Sequence, residues 1–207
     1  MAVRENILLI RLKSIGDILF TLPATQVVRD NFPDARIHFL VSKEYAEVVR
    51  GFPQVDEIIP FDRAVFRSKN PASICEKTLR LLLRLRQRRF SCAIDFQGYG
   101  ETEMLAWWSG APERWGQVYR PSRGWAYTQS LPRQRAIHPV EQNLALLRRC
   151  GLCVKKIHNQ YSLPAEAAVE ARRFFKANNL GIGRPTLFLQ PFTSSPHKNW
   201  PLENYLA

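Results

Sequence analysis

The chain has 207 residues, with 30 Lys and Arg against 18 Asp and Glu, a formal net charge of +12 and an isoelectric point near 10.0. This length suffices for one α/β domain of ordinary size plus part of another. So basic a chain attracts phosphates, anionic lipid or nucleic acid, and composition alone does not choose among them. Because no run of about 18 apolar residues and no secretory signal is visible, we expect a cytoplasmic protein, at most peripheral to the inner membrane.

The cysteines of the chain, four in all, include one close pair, Cys150 and Cys153. A structural zinc site usually needs two such pairs, and a thioredoxin-like pair would open a helix, whereas this one follows a helical run. No other set of His, Asp or Glu residues has metal-ligand spacing. We therefore expect reduced, structural thiols and no metal site.

Short apolar runs alternate with helical periodicity along the first 163 residues. Strands are predicted over residues 7–12, 36–41, 57–60 and 90–96. Helices are predicted over residues 16–31, 43–50, 70–89, 98–111 and 139–149, and residues 112–139 are expected to hold one strand and long surface loops. This alternation predicts an α/β fold with a Rossmann-like, doubly wound parallel sheet.

A second strand-loop-helix unit is predicted after residue 163. Pro164 starts a helix, a buried strand is expected over residues 186–190, and a further helix begins near residue 201. We therefore divide the chain into a first domain over residues 1–163 and the beginning of a second, incomplete domain over residues 164–207.

The first apolar run ends in a short polar turn that carries Asp17. Because α/β folds keep ligands just past the carboxyl ends of buried parallel strands, Asp17 is a candidate general base. Gly16 is expected to give this turn a close approach and unusual backbone angles. The other interpretation, which spacing alone favours, is that Asp17 caps the helix that begins there. Arg11, Lys13 and Ser14 line the same turn.

Asp95 and Gln97 follow the predicted strand over residues 90–96, so they project at the same edge of the sheet as Asp17. A polar pair beside a base suits the binding of an acceptor hydroxyl, and a simple turn with a helix cap is an equal alternative. Glu101 and Glu103, on the next helix, are not assigned to the site.

The loop after residue 190 carries Thr193, Ser194 and Lys198. Hydroxyl, amide and ammonium groups in one loop make a plausible cradle for a diphosphate. A polar surface loop is the alternative, since no glycine-rich phosphate-binding loop is present.

Two stretches combine basic with apolar or aromatic residues. Five arginines stand among leucines over residues 80–89, either as a helix lying on anionic lipid or as a solvated helix face. Arginine, Trp and Tyr interleave over residues 114–127, which suits stacking on single-stranded nucleic acid or on sugar rings.

Three segments together resemble glycosyltransferase family 9, which contains the ADP-heptose:lipopolysaccharide heptosyltransferases. They are IRLKSIGDILFTLPA with VVRDNFPDARI (residues 10–24 and 27–37), AIDFQG (residues 93–98) and LQPFTSSPHKNWP (residues 189–201). Their order along the chain is that of the family, although Pro191 and Phe192 depart from its commoner Pro-Gly loop.

The resemblance implies a two-domain GT-B glycosyltransferase with a truncated second domain. It makes residues 1–163 the acceptor-binding domain and residues 164–207 the beginning of the domain that binds the nucleotide sugar. It implies metal-independent, inverting transfer of heptose from ADP-heptose, without a further cofactor, to the anionic lipopolysaccharide inner core. It places the catalytic base on Asp17 and the donor-phosphate contacts on Thr193, Ser194 and Lys198. It places acceptor contacts on Arg11, Lys13 and Ser14 and on Arg63 and Arg67, beside Asp95 and Gln97.

The implied partners are therefore a nucleotide sugar, a lipopolysaccharide acceptor and the surface of the inner membrane, but not nucleic acid. Two alternatives stay open on the residues alone. The chain is a noncatalytic fragment if the missing bulk of the second domain is needed for donor binding. It is a basic domain that binds anions or nucleic acid if the charge and the aromatic segment serve that purpose.

Overall fold

The computed structural model describes residues 5–63, 71–119, 121–134, 136–183, 185–193 and 196–205. Its contacts divide the chain into two compact units, Met1–Leu163 and Pro164–Ala207. The roles expected for the two units, acceptor binding in the first and donor binding in the second, stay predictions.

The first unit is built on a six-stranded parallel sheet. Its strands run in the spatial order β3-β2-β1-β4-β5-β6, the doubly wound order of a Rossmann-like fold. The strands are β1 (Asn6–Ile10), β2 (Arg36–Ser42), β3 (Glu57–Phe61), β4 (Cys92–Asp95), β5 (Glu113–Val118) and β6 (Gln129–Pro132). The predicted fold class is confirmed.

Helices cover both faces of this sheet. They are α1 (Ile15–Leu19), α2 (Leu22–Asn31), α3 (Ala46–Arg50), α4 (Pro71–Gln87), α5 (Gly100–Trp108) and α6 (Pro139–Arg149). Successive residues of β1 face opposite sides, so Ile7 and Leu9 enter one hydrophobic cluster with α2 and α6, while Leu8 and Ile10 enter the other with α4 and α5. Both faces are buried, which explains the unbroken apolar runs of the sequence.

The helix predicted over residues 16–31 is two helices, α1 and α2, with a break at Phe20 and Thr21. Pro23 lies in the first turn of α2, where its missing N–H costs nothing. In the interior of one long helix the same proline would remove a hydrogen bond and clash with the preceding turn. Because the apolar periodicity continues across the break, the sequence pattern predicted one helix instead of two.

The segment over residues 112–139 contains two strands rather than the single strand predicted. The additional strand, β6, lies at the edge of the sheet and is at least partly exposed along its whole length. An edge strand needs no continuous apolar face, so its sequence lacks the period that marks the central strands.

The second unit holds α7 (Ala165–Ala177) and two one-turn 3₁₀ helices, Pro196–Lys198 and Leu202–Tyr205. The strand predicted over residues 186–190 is not formed, and the side chains of Leu187, Phe188 and Leu189 are exposed. A strand needs a partner for its backbone hydrogen bonds, and the described part of this unit contains none.

Two further observations concern the described residues only. No described helix is long and apolar enough to cross a membrane. All the cysteines are free thiols, and burial raises the pKa of Cys150 to about 11 and that of Cys92 well above its ordinary value.

The backbone conformation of the turn after β4 predicts how substitution of two nearby glycines changes the stability of the protein. Gly98 has a φ of +69°, and a Cβ there would lie 2.0 Å from the carbonyl oxygen of Gln117. We expect Gly98→Ala to lower the free energy of unfolding by at least about 2 kcal/mol, from backbone strain and from this clash. Urea denaturation measures the change.

Gly100→Ala is the matched control, because a Cβ at Gly100 meets nothing within 4 Å and the residue begins α5. We expect it to be neutral or stabilising by up to about 1 kcal/mol. Equal effects of the two substitutions would contradict the close approach at Gly98.

Candidate active site

The candidate site lies where β1 and β4 adjoin at the centre of the sheet. Their carboxyl ends are in register, with Ile10 opposite Asp95, and neighbouring strands are added outward on either side from this pair. In doubly wound sheets such a switch point opens the crevice in which ligands bind. The loop after β1 carries Arg11 to Ser14 and leads into α1, which carries Asp17, and the loop after β4 carries Gln97 to Tyr99.

Arg11 connects these two loops through hydrogen bonds in the protein interior. Its side chain is buried, and its guanidinium donates to the carbonyl oxygens of Lys13 at 3.0 Å and Phe96 at 2.5 Å. The remaining terminal nitrogen lies 2.9 Å from Asp17 Oδ1. Arg11 therefore positions Asp17, and it does not present a free charge to an acceptor as the sequence predicted.

Asp17 is the third residue of α1 and stands at the open side of the loop. Its Oδ1 pairs with Arg11, and its Oδ2 accepts from the backbone N–H of Ser14 at 3.3 Å and from Ser14 Oγ at 3.2 Å. The contact with the backbone N–H of Ser14 is one half of a capping box, in which Ser14 is the N-cap residue of α1. Asp17 therefore supports the cap from the third helical position, and it is not the cap residue that the alternative interpretation of the sequence made it. About a third of the Asp17 side chain remains exposed.

The charge state of Asp17 follows from these contacts. Partial burial raises its pKa, but the charge of Arg11 and the hydrogen bonds from Ser14 and Arg11 outweigh burial, so the pKa lies below the ordinary value of 3.8. Asp17 is therefore a carboxylate at neutral pH. A Cβ added at Gly16 would meet nothing within 4 Å, so the expectation of a tight backbone approach there was wrong, and the space beside this helix turn is open.

Gln97 holds the loop after β1 from the side of β4. Its buried carboxamide oxygen accepts from the backbone N–H of Leu12 at 2.9 Å and of Lys13 at 3.2 Å, and its nitrogen donates to Glu101 at 3.3 Å. Glu101 in turn lies 3.4 Å from the guanidinium of Arg63. Gln97 is thus a positioning residue rather than an acceptor contact.

Glu101 belongs to the site, although the sequence analysis left it out. It lies in the first turn of α5, four residues after Gln97. Because Gln97 precedes this helix, no helical spacing indicated the contact in advance. Arg63, predicted to bind the acceptor, is brought next to the loop after β4 by this pairing, whereas Arg67 lies outside the described residues.

Asp95 is fully buried, and hydrogen bonds from the protein occupy both of its carboxylate oxygens. Its Oδ1 accepts from the backbone N–H groups of Gln97 at 2.7 Å and Gly98 at 3.1 Å, and its Oδ2 accepts from the hydroxyl of Tyr127 at 2.7 Å. Burial raises the pKa of Asp95 above its ordinary value, and burial beside Asp95 raises that of Tyr127 as well. Asp95 therefore shapes the turn and offers no oxygen to an acceptor, contrary to the prediction.

A stack of aromatic and basic side chains forms the rim of the crevice. The rings of Tyr99 and Tyr119 are parallel within 8°, with centroids 4.9 Å apart, and Tyr119 Oη lies 3.2 Å from Tyr99 Oη. Lys13 Nζ lies 5.7 Å from the centroid of the Tyr99 ring, and the Arg133 guanidinium lies 4.9 Å from that of Tyr119.

Tyr99 and Arg133 were not among the predicted site residues. Tyr119 directly follows β5, and Arg133 directly follows β6, so both stand at the carboxyl edge of the sheet. Without β6 in the predicted topology, the position of Arg133 could not be inferred.

The predicted donor loop lies in the second unit. Asn199 Oδ1 accepts from the backbone N–H of Thr193 at 2.7 Å and from Thr193 Oγ1 at 2.9 Å, which closes the loop on itself. Lys198 is exposed in a 3₁₀ turn, and Ser194 lies outside the described residues. Among the residues that the structure describes, no group of three or more His, Cys, Asp or Glu is placed to hold a metal ion.

The Arg11 contact predicts how the pKa of Asp17 responds to substitution. We expect Arg11→Met to raise this pKa above that of the native chain, because the substitution removes the charge that opposes the effect of burial. Carboxyl NMR titration of Asp17 measures it. Arg11→Lys, which keeps a cation, is the control and should raise the pKa less; an unchanged pKa in a folded Arg11→Met variant would contradict the assignment.

Comparison with known proteins agrees with this architecture. The profile of glycosyltransferase family 9 (heptosyltransferase) matches residues 78–207, well over half of the chain. Lipopolysaccharide heptosyltransferase 3 of Escherichia coli is 24% identical over 200 residues, covering 93% of this chain and 56% of that protein. Lipopolysaccharide heptosyltransferase 1 of Escherichia coli O18:K1:H7 is 24% identical over 206 residues, covering 97% of this chain and 61% of that protein.

Solved structures share the fold. A family 9 glycosyl transferase from Veillonella parvula superposes with a TM-score of 0.82 at 19% identity, over 99% of this chain and 59% of that one. Heptosyltransferase WaaC of Escherichia coli, solved with ADP-2-deoxy-2-fluoro heptose, gives a TM-score of 0.73 at 21% identity, over 97% of this chain and 63% of that one. The chain thus spans about three fifths of the length of these proteins, and it belongs to glycosyltransferase family 9.

Proposed function

We propose that this protein transfers heptose from ADP-heptose to the inner core of lipopolysaccharide. The observation that carries the proposal is Asp17, an ionised and partly exposed carboxylate that Arg11 holds at the switch point of the sheet. Membership of family 9 supports sugar transfer, and the names of the relatives supply the sugar and the acceptor.

In the proposed reaction, Asp17 accepts the proton of the acceptor hydroxyl as its oxygen attacks the anomeric carbon of the donor. A carboxylate with a lowered pKa is a weak base, so it takes the proton only as the new carbon-oxygen bond forms and the hydroxyl becomes acidic. Arg11 and Ser14 serve this step by keeping Asp17 ionised and directed at the crevice. Attack opposite the leaving diphosphate inverts the anomeric centre.

The departing diphosphate needs positive charge or hydrogen-bond donors. We assign this role to Thr193, Ser194 and Lys198 without a metal ion. Support comes from the loop itself, in which Asn199 orders Thr193 and Lys198 supplies an exposed ammonium group.

The base assignment predicts that Asp17→Asn lowers kcat at least about 100-fold. The amide cannot accept the proton, although it retains the shape of the side chain. Transfer is measured with the full natural protein, radiolabelled ADP-heptose and heptose-free lipopolysaccharide, in EDTA because the reaction proposed needs no metal ion. Asp30→Asn, which changes an exposed carboxylate on α2, is the control. Near-normal turnover of a folded Asp17→Asn protein would refute the role of Asp17.

We also propose that the protein works against an anionic membrane, where a lipid-linked acceptor resides. On α4, Leu79 and Leu83 are exposed beside Arg80 and Arg84. The adjoining α5 and the 3₁₀ turn Pro121–Ala126 add an exposed tryptophan cluster. Trp107 contacts both Trp108 and Trp125, with ring centroids 5.7 and 6.0 Å apart.

Tryptophan and arginine are the side chains that favour the interface of a bilayer, since one part of each is apolar and the other is polar or charged. A groove of about 360 Å³ between α4 and α5, lined largely by apolar side chains that include Met104 and Leu105, continues this surface. The surface as a whole is therefore both apolar and basic.

This surface predicts that the double variant Trp107→Ser/Trp125→Ser binds vesicles of phosphatidylglycerol and phosphatidylcholine about tenfold more weakly than the native chain. Sedimentation with the vesicles measures the bound fraction. Trp200→Ser removes an exposed tryptophan of the second unit and is the control. Equal loss of binding in both proteins would show that the tryptophan cluster is not the contact surface.

A further inference from the structure

The tyrosine pair at the rim of the crevice belongs to a chain of hydrogen bonds that runs from Arg133 through Tyr119 to Tyr99. Arg133 donates to Tyr119 Oη, and a guanidinium has no acceptor, so the direction of that bond is certain. Tyr119 donates its own proton to Tyr99 Oη. The hydroxyl proton of Tyr99 is then left to point away from Tyr119, and within the described part of the chain Tyr99 Oη donates no hydrogen bond.

The stack holds this hydroxyl in place. The parallel rings of Tyr99 and Tyr119 restrict rotation of both side chains, and both residues are 41% exposed, so the pair is accessible. Burial, and the hydrogen bond to Tyr99, raise the pKa of Tyr119 to about 12, so the phenol stays protonated and keeps donating at neutral pH. A hydrogen bond from a cation polarises the next donor in the chain, which makes Tyr99 a stronger donor than an isolated phenol.

A second donor stands beside the first. Lys13 lies in the loop between β1 and α1, the helix that carries Asp17, and its ammonium lies 5.7 Å from the centroid of the Tyr99 ring. Its half-buried side chain makes no ion pair with a carboxylate of the described residues, since Asp17 is taken by Arg11 and Ser14. A phenol O–H and an ammonium group at the same rim are complementary to one negatively charged oxygen.

We propose that Tyr99 Oη and Lys13 Nζ together bind an anionic oxygen of the acceptor, either a sugar carboxylate or a phosphate, and so orient its hydroxyl toward Asp17. Tyr119 and Arg133 act through Tyr99 as positioning residues. The inference rests on the proposed function for the identity of the acceptor. To Lys13, which the sequence already assigned to the acceptor, it adds Tyr99, Tyr119 and Arg133, which lie outside the predicted site residues.

The test is Tyr99→Phe, which keeps the ring stack and removes only the hydroxyl. We expect binding of heptose-free lipopolysaccharide without donor, measured by isothermal titration calorimetry in detergent, to weaken about tenfold. The KM for this acceptor in the transfer assay should rise to match, with kcat within about twofold of the native value, because the hydroxyl binds rather than reacts. Tyr161→Phe, which removes a hydroxyl bonded to Val48, is the matched control and should change neither.

A double-mutant cycle separates the positioning role from a direct contact. If Arg133 acts through the two hydroxyls, Arg133→Met weakens acceptor binding in the native background and has little further effect in the Tyr99→Phe background. Fully additive losses would overturn the relay. Unchanged binding in Tyr99→Phe would overturn the site.

The two sources of negative charge are distinguished by treating the acceptor with phosphatase. If the Tyr99→Phe effect disappears on the dephosphorylated acceptor, the bound oxygen belongs to a phosphate, and if the effect persists, it belongs to a carboxylate. Weaker acceptor binding in Tyr99→Phe together with no heptose transfer by the native protein would refute the proposed function and leave this site standing. Heptose transfer by the native protein together with an unchanged KM for the acceptor in Tyr99→Phe would support the proposed function and overturn this site.

Discussion

A single buried guanidinium, that of Arg11, sets the geometry of the candidate active site. A buried charge is costly unless it is paired and fully hydrogen-bonded, and Arg11 meets that demand with two carbonyl oxygens and one carboxylate. These partners come from the loop after β1, the loop after β4 and the first turn of α1. No one of these segments can move without leaving the charge unsatisfied, so the position of Asp17 is coupled to the centre of the sheet.

The site consists of two layers with different tasks. The buried layer, Arg11, Asp95 and Gln97, bonds to backbone groups and shapes the loops at the carboxyl ends of β1 and β4. The exposed layer, which includes Ser14, Asp17 and Tyr99, stands on those loops and faces the crevice. This division is a physical necessity, because a loop with several polar groups at a sheet edge keeps its shape only if something below satisfies its inner N–H and C=O groups.

The division into a buried and an exposed layer also explains which residues predicted to bind the acceptor have a different role in the structure. The guanidinium of Arg11 suits an anionic group of a sugar, and the side chains of Asp95 and Gln97 suit its hydroxyl groups. Their place at the carboxyl ends of buried strands brings all three to the correct edge of the sheet. All three side chains are buried, however, and their polar atoms form hydrogen bonds within the protein instead of with a ligand. Tyr99 and Arg133 show the converse, because neither carries a motif and both gain their role from contacts between segments that are distant in sequence.

From sequence alone, the unbroken apolar runs determined a parallel sheet buried on both faces, and the order of three motifs determined the family. The polar turns that follow β1 and β4 were located for the same reason, since ligands of such sheets gather past the carboxyl ends of strands. Tertiary structure decided that β6 forms at the edge of the sheet and that no strand forms over residues 186–190. It also decided which polar side chains are buried and shape the loops, and which are exposed to the crevice. Each of these depends on what a residue meets across the fold, such as a neighbouring strand, a carbonyl oxygen or a second tyrosine ring, and local periodicity carries no record of such partners.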